Sequence, residues 1–359
     1  MPTFDIIKET TPDKSFRVSS IIGKFDIQSN TITERFSGNI EPGDDWQIGI
    51  IVGKSGTGKT TIAKQLYPDA YITNFEYNNT SIMDDMPQDK SVDDITKTFS
   101  AVGFSSPPSW LKPYEVLSNG EKMRVNLANA IMRDNDLFVF DEFTSVVDRQ
   151  VAKVGSFAMQ KAIRKTTKKF IAVTCHFDVI DWLLPDWIFN TDTMTFLNIE
   201  KKKERPRLQF KIYETSNKQY YWKMFSKHHY LTHDIHKGSR IFVATINDEL
   251  CGICAVLHFP HPKVKNIIRG HRLVVLPDYQ GFGIGWRLMN LVGDILINEG
   301  KRFTITTSSP TLVTKLKEST WRCTQYGRMG SHGKTTTAKG VKVGLFDSSN
   351  RVTTSWEKR

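Results

Sequence analysis

The chain has 359 residues, 39% hydrophobic and 11% aromatic, with a formal net charge of +11. That length exceeds one ordinary core and argues for two globular domains, not a disordered or fibrous chain. The four cysteines, Cys175, Cys251, Cys254 and Cys323, are too few for a disulfide framework, and no apolar run is long enough to cross a bilayer. The opening stretch MPTFDIIKETTPDK lacks the basic start and apolar run of a secretory leader. A cytoplasmic protein with no membrane partner is therefore the expectation.

Charge divides the chain. Residues 201–359 hold 28 Lys/Arg against 11 Asp/Glu, whereas residues 1–200 hold 21 against 27. The sign changes at KKKERPR, residues 201–207, a polar run with a proline that reads as a linker between a domain at 1–200 and another at 201–359. A half so basic attracts polyanions, nucleic acid first among them; a plain solvated surface is the alternative.

In the first half, short apolar runs alternate with helical patterns. WQIGIIVG, DLFVFDEF and FIAVTCHF read as buried strands of a parallel α/β sheet. Between the first of these and the helix TTIAKQLY lies GKSGTGKTT, residues 53–61, which fits G-x-x-x-x-G-K-[ST]. In such a loop Gly53, Gly56 and Gly58 let backbone N–H groups, those of Ser55 and Thr61 included, face phosphates. Lys59 neutralises β/γ charge and the Thr60 hydroxyl can ligate Mg²⁺. The strand LFVF ends in Asp141 and Glu142: the first can hold the Mg²⁺ shell, and the second is placed to polarise an attacking water. The turn Leu117-Ser118-Asn119-Gly120-Glu121 opens a further helix, KMRVNLANAIM, whose positive end suits a γ-phosphate.

With these motifs in order, residues 20–200 resemble the ABC-type ATPases. LSNGE stands where that family has LSGGQ, and DEFTSVVD where it has DEPTSALD. The resemblance implies that Ser118 and Gly120 contact ATP, that Asp148 closes the D-loop, that His176 contacts the γ-phosphate, and that Gln88 joins the metal and water shell. It also implies an ATP-dependent homodimer and hydrolysis to ADP and phosphate. Asn119, Glu121 and Phe143 depart from the family pattern. Phe25 and Phe36 are candidates to stack on adenine, with core packing as the alternative for both.

After the linker the reading is a helix over residues 217–230, a hairpin IFVATIN/LCGICAVLHF turning at NDE, a strand RLVVLP, a helix over 284–298 and a strand RFTITTS. SHGKTTTAKG reads as a mobile loop. Cys251 and Cys254 lie three apart in a strand, point to opposite faces and so read as core, not as half a zinc site. A second glycine loop, Gln280-Gly281-Phe282-Gly283-Ile284-Gly285, joins RLVVLP to its helix. Trp286 stands where a dinucleotide fingerprint needs glycine, so NAD and FAD are disfavoured.

The spacing Q/R-x-x-G-x-G/A and the element order resemble the GNAT-type acyl-CoA transferases. This implies that Gln280, Gly281, Gly283 and Gly285 hold the pyrophosphate of acetyl-CoA or another acyl-CoA, in a mixed α/β domain. Candidates for acid and base are His229 and Tyr326, with His271 and the remaining histidines of KHHYLTHDIH behind them. His229 and His233 would share a helix face, and a metal site in that cluster is an open alternative. The function expected is an ATPase coupled to an acyltransferase acting on nucleic acid or a nucleic-acid-bound target. The alternatives are an N-acetyltransferase of a small amine or protein with a regulatory ATPase half, and a non-catalytic GNAT-like binding module.

Overall fold

All five residues of the run Ile48–Val52 are buried, as the central strand of a sheet covered on both faces must be. The computed structural model describes residues 3–27, 31–72, 75–199, 209–229, 234–261, 264–281, 283–329 and 352–358. In chain order come β1 (Thr3–Thr10), α1 (Phe16–Phe25), β2 (Ile32–Asn39), β3 (Ile48–Val52), α2 (Lys59–Leu66) and β4 (Tyr71–Ile72). Next are α3 (Val92–Ala101), α4 (Pro107–Trp110), α5 (Asn119–Met132), β5 (Leu137–Phe140), α6 (Arg149–Ile163), β6 (Lys169–Thr174), α7 (Val179–Leu183), β7 (Trp187–Asn190) and β8 (Thr195–Asn198). The remainder holds β9 (Phe210–Thr215), α8 (Lys218–Phe225), β10 (Arg240–Ile246), β11 (Glu249–His258), β12 (Ile267–Val275) and α9 (Ile284–Asn298). It closes with β13 (Arg302–Thr307), α10 (Pro310–Lys317), β14 (Arg322–Met329) and β15 (Val352–Glu357).

Two compact units result: Met1–Glu76 with Asn129–Pro206, and Tyr77–Ala128 with Arg207–Arg359. The second boundary falls in KKKERPR, which itself lies outside the described residues, as does SHGKTTTAKG. The sequence division at residue 200 does not separate segment 77–128, which groups with the basic half. Contacts among residues far apart in the chain decide this, and no local signal carries it.

The first unit is a six-stranded sheet in the order β4-β5-β6-β3-β7-β8. It is parallel except at β8, which runs antiparallel to β7. β6 therefore separates the glycine-loop strand β3 from β5, the strand that ends in Asp141. Gly49 lets Trp187 lie flat on β3: a Cβ there would come within 2.1 Å of the indole. The antiparallel pair β1–β2 contributes Phe4 and Phe36 to the same core, beside Trp46, Ile51, Trp187 and Phe189. At one end of this sheet the Asp186 carboxylate accepts from the N–H groups of Gln47 and Ile48 and from both Arg164 Nη atoms.

The second unit holds the seven-stranded sheet β14-β15-β13-β12-β11-β10-β9. β10 and β11 form the expected hairpin, its turn residues Asn247 and Asp248 both at positive φ (50° and 68°), as a type I′ turn requires. Trp222 and Phe225 of α8 pack with Ile241, Val243, Ile253, Ala255 and Val274. α9 lies over the other face, where Gly252 leaves room for Leu288 and Gly285 meets Val275. Cys251 and Cys254 are buried in β11, as the strand spacing implies, and burial pushes both thiols up to about 12. β12 and β13 pair in parallel only from Ile267–Arg302 to Arg269–Thr304, after which β13 continues along β15 to Thr307. The two strands part there, so residues 270–275 of β12 have no ladder partner on that edge among the described residues. In segment 77–128, Phe99, Phe104 and Trp110 pack together, while Tyr77 and Tyr114 stack at 4.1 Å and both bond Asn126.

One predicted element is shorter than expected. α8 ends at Phe225, a 3-10 turn covers Ser226–His228, and His229 is extended (φ −99°, ψ 122°). The extended backbone turns the buried His229 ring toward Trp222, 5.9 Å between centroids. His229 thus lies beyond the helix, and His233, its expected neighbour on a helix face, lies outside the described residues.

Candidate functional site

The two glycine loops end alike. Gly58 (φ 83°, ψ 9°) is the N-cap of α2 and Gly283 (φ 78°, ψ 19°) the N-cap of α9; both are left-handed and neither helix is capped by a side chain. An uncapped first turn presents its N–H groups to an incoming anion, and the helix dipole adds to the attraction. The contrast with the neighbouring helices is direct. Asp148 caps α6 by accepting from the N–H groups of Gln150 and Val151, each at 2.9 Å.

Around the first loop, a Cβ on Gly53 would meet Thr191 Oγ1 at 2.1 Å, and one on Gly58 would meet the Phe36 ring at 2.5 Å. Gly56 (φ 82°) faces open space, Ser55 is exposed and Thr61 is half-buried. Lys59 is buried, its ammonium donating to the Lys54 carbonyl at 2.6 Å. The Thr60 hydroxyl donates to Asp141 Oδ2 at 2.8 Å, and the Tyr71 hydroxyl donates to the same oxygen. A hydroxyl beside a carboxylate at a strand end is a donor set that fits Mg²⁺. Glu142 is exposed at φ 51° and its N–H donates to Asp141 Oδ1; Thr144 follows at φ 68°, buried. Two non-glycine residues in left-handed backbone, one of them β-branched, mark a strained segment of the kind that clusters at functional sites. Phe143 between them is fully buried against Phe140 and Phe170, which explains an aromatic where the resembled family has proline. His176 follows β6, half-buried, its N–H donating to Thr174 Oγ1. Of the two adenine candidates, Phe36 belongs to the core and Phe25 is exposed.

In the other unit, Gln88 donates from Nε2 to Asp84 O at 3.0 Å. The LSNGE turn is a reciprocal cap. Ser118 Oγ accepts from the Glu121 N–H at 3.3 Å, and Glu121 Oε2 accepts from the Ser118 N–H at 3.0 Å. This S-x-x-E pairing gives Glu121 a structural reason to stand where the resembled signature has glutamine, with Gly120 inside the capped turn.

At the second loop, Gln280 is held at both ends of its side-chain amide: Nε2 donates to Val275 O at 3.0 Å, and Oε1 accepts from the Ser105 N–H at 2.9 Å. Gly281 (φ 92°) and Gly283 are both left-handed, and Gly283 faces open space. Beside this turn lies the stretch of β12 that has parted from β13. A bare helix N-terminus next to an opened strand pair can take a pyrophosphate at the loop and an extended arm along the strand edge. Ser105 and Arg124 were not candidates in the sequence, and no motif marks them.

The histidines sort by position. His229, His236 and His271 are electrostatic neighbours. Burial first, then the charges of Arg272, His236 and His229, push the His271 imidazole down to about 4. Its Nε2 is buried with no hydrogen-bond partner among the described residues. His228 is lowered by burial and Lys227, opposed by Asp278 and Glu121. Tyr326 is 63% exposed on β14, its hydroxyl accepting from Lys317. Among the described residues no group of three or more His, Cys, Asp or Glu could hold a metal ion. No helix there is long and apolar enough to cross a membrane.

Residues 50–188 match the family model described as ATPase family associated with various cellular activities (AAA). Residues 237–330 match the acetyltransferase (GNAT) domain model. The first match is to the AAA description and does not single out the ABC subclass that the motifs resemble. No curated protein matches the chain. Among solved structures, a bacterial Atm1-family ABC exporter with ATP bound is 18% identical with a TM-score of 0.34, over 40% of this chain and 32% of that one. The chain thus spans about a third of the length of that exporter. The ribosomal-protein-S18-alanine N-acetyltransferase of Escherichia coli is 13% identical with a TM-score of 0.31, over 42% of this chain and 92% of the enzyme. An acetyltransferase of Bacillus subtilis in complex with CoA is 14% identical with a TM-score of 0.30, over 42% and 97%. The chain is a mixed α/β protein with an N-terminal P-loop ATPase-type domain and a C-terminal GNAT-type domain.

Proposed function

We propose that the chain is an ATP-hydrolysing ABC-type ATPase coupled to an acyl-CoA-dependent N-acyltransferase that acts on nucleic acid or a nucleic-acid-bound target. The observation that carries this is the pair of uncapped, glycine-started helices, α2 and α9, each at the end of a strand. In the ATPase reaction Thr60 and Asp141 would hold Mg²⁺, which supplies charge neutralisation at the transferring phosphate. Lys59 and the amides of 56–61 bind the phosphates, Glu142 orients and deprotonates a water, and His176 donates to the γ-phosphate. Gln88 would join the metal and water shell, and Ser118, Gly120 and Asp148 complete the nucleotide contacts in an ATP-held homodimer.

In the transferase reaction acyl-CoA supplies the activated thioester. The amides of Gly281, Gly283 and Gly285 bind its pyrophosphate, and the edge of β12 beyond Arg269 orients its arm. As the amine nitrogen bonds the acyl carbon and the C–S bond breaks, His229 and Tyr326 are the candidates to take the amine proton and to protonate the departing CoA thiolate. The basic half, 28 Lys/Arg against 11 Asp/Glu, favours a polyanionic acceptor. The test is the ATP hydrolysis rate with and without DNA or RNA, beside mass spectrometry of nucleic acid treated with the protein and acetyl-CoA. Stimulated hydrolysis and an added acyl mass support the reading. Flat rates and acetylated polyamine or lysine peptide instead would move the acceptor to a small amine or protein.

A further inference from the structure

Segment 77–128 interrupts the ATPase-type half in sequence, yet it belongs to the same compact unit as the transferase-type half. Three contacts tie it to the second loop. Gly103, at φ 89°, lies so close to Gln280 that a Cβ would stand 2.7 Å from the Gln280 carbonyl oxygen. The Ser105 N–H bonds Gln280 Oε1 at 2.9 Å. Arg124, 1% exposed, donates from Nη2 to Asp278 O at 3.4 Å, with Nη1 4.0 Å from Asp278 Oδ1. Arg124 lies three residues after Glu121 on α5, so it sits less than one turn from the LSNGE cap. His228 feels both Glu121 and Asp278, and α3 packs against α10.

These contacts converge on residues 278–280, immediately before the left-handed Gly281. The direction of the loop amides depends on where Gln280 is held, and one of its two side-chain anchors comes from the insertion. A helix transmits displacement along its axis with little loss, so a shift at the N-terminus of α5 moves Arg124 and the backbone of Asp278 with it. We propose that segment 77–128 is an effector of the acyl-carrier loop, such that a nucleotide phosphate engaged at the LSNGE turn changes the affinity of Gly281, Gly283 and Gly285 for acyl-CoA. Arg124 and Ser105 are the positioning residues; neither touches substrate. The proposal rests on reading the second loop as an acyl-CoA site and LSNGE as a nucleotide contact. By linkage, acyl-CoA must change nucleotide affinity by the same factor.

The test is calorimetric titration of the full chain with acetyl-CoA, once without nucleotide and once saturated with a non-hydrolysable ATP analogue and Mg²⁺. The expected result is a difference in Kd of about 5-fold or more between the two states. Ser105→Pro, which removes the N–H, should reduce that difference to less than about 2-fold, whereas Ser105→Ala, which keeps it, should leave it intact. Gly103→Ala, which drives a methyl into the Gln280 carbonyl, should weaken acetyl-CoA binding in the nucleotide-free state while the rate of ATP hydrolysis is retained. Equal affinities in the two nucleotide states, with binding intact, overturn the coupling alone. Absence of acetyl-CoA heat in both states overturns the acyl-carrier reading and the coupling with it. Should Ser105→Pro fail to fold, the unsubstituted pair of titrations still decides.

Discussion

The hydroxyl of Thr60 donates to Asp141 Oδ2 at 2.8 Å across 81 residues of sequence. The same oxygen accepts from Tyr71, and Oδ1 accepts from the Glu142 N–H. Burial and the Asp141 carboxylate push the Tyr71 phenol well above its ordinary range, so it stays a donor throughout the physiological range. A cation arriving at Asp141 competes with that donor. Tyr71→Phe should therefore lower the Mg²⁺ concentration that half-saturates ATP hydrolysis by about 5-fold, the worth of about one hydrogen bond. A Mg²⁺ titration of the hydrolysis rate checks it; an unchanged midpoint would remove the competition.

Glu142→Gln should lower kcat for hydrolysis by about 10² or more while ATP still binds, because the amide keeps the shape of the side chain and loses the base. Single-turnover hydrolysis alongside equilibrium ATP binding separates the two effects. Loss of binding instead would place Glu142 in the nucleotide cradle.

The reciprocal bonds of Ser118 and Glu121 predict that Ser118→Ala costs about 1 kcal/mol of stability. Glu121→Gln retains the cap geometry and should cost only a few tenths of that. Denaturant midpoints of the two variants test this ordering.

Gly283→Glu places a carboxylate at the start of α9, where the resembled loop takes a pyrophosphate, and adds a side chain at φ 78°. Acetyl-CoA binding should be lost, while ATP hydrolysis measured without acetyl-CoA stays unchanged. Calorimetry and a phosphate-release assay on the same preparation give both readouts.

The lowered His271 carries a signed pH dependence. Its ordinary value is 6.5 and burial with its cationic neighbours brings it to about 4, so between these values the unfolded chain binds the proton and the folded chain does not. Stability contributed by neutral His271 is present above 6.5 and is lost as pH falls toward 4. His271→Gln should flatten that part of the profile in thermal unfolding at pH 7.5 and pH 5.

Much of the architecture could be read locally. The strands β3, β5 and β6, the hairpin β10–β11 and the helix over 284–298 follow from apolar period and turn residues. The left-handed backbone at Gly56, Gly58, Gly281 and Gly283 agrees with the reason glycine was expected there. The terminal pair β1–β2 and the two-residue strand β4 had no such period and were not anticipated. Nor was the early end of α8 at Phe225, with a 3-10 turn over Ser226–His228 after it.

Within each motif, then, the residues alone determined the backbone: a glycine without Cβ, a hydroxyl followed by a glutamate at the third place, or an aspartate closing an apolar strand allows few conformations. Assignment among equals needed the folded chain. Nothing in KHHYLTHDIH or HRLVV tells that His229 lies against Trp222 while the His271 Nε2 is buried without a hydrogen-bond partner among the described residues. Likewise, nothing in VGFSS or KMRVN announces that Gly103, Ser105 and Arg124 brace residues 278–280. Such choices depend on which distant surfaces meet, and a buried contact between elements more than 150 residues apart leaves no periodic trace along the sequence.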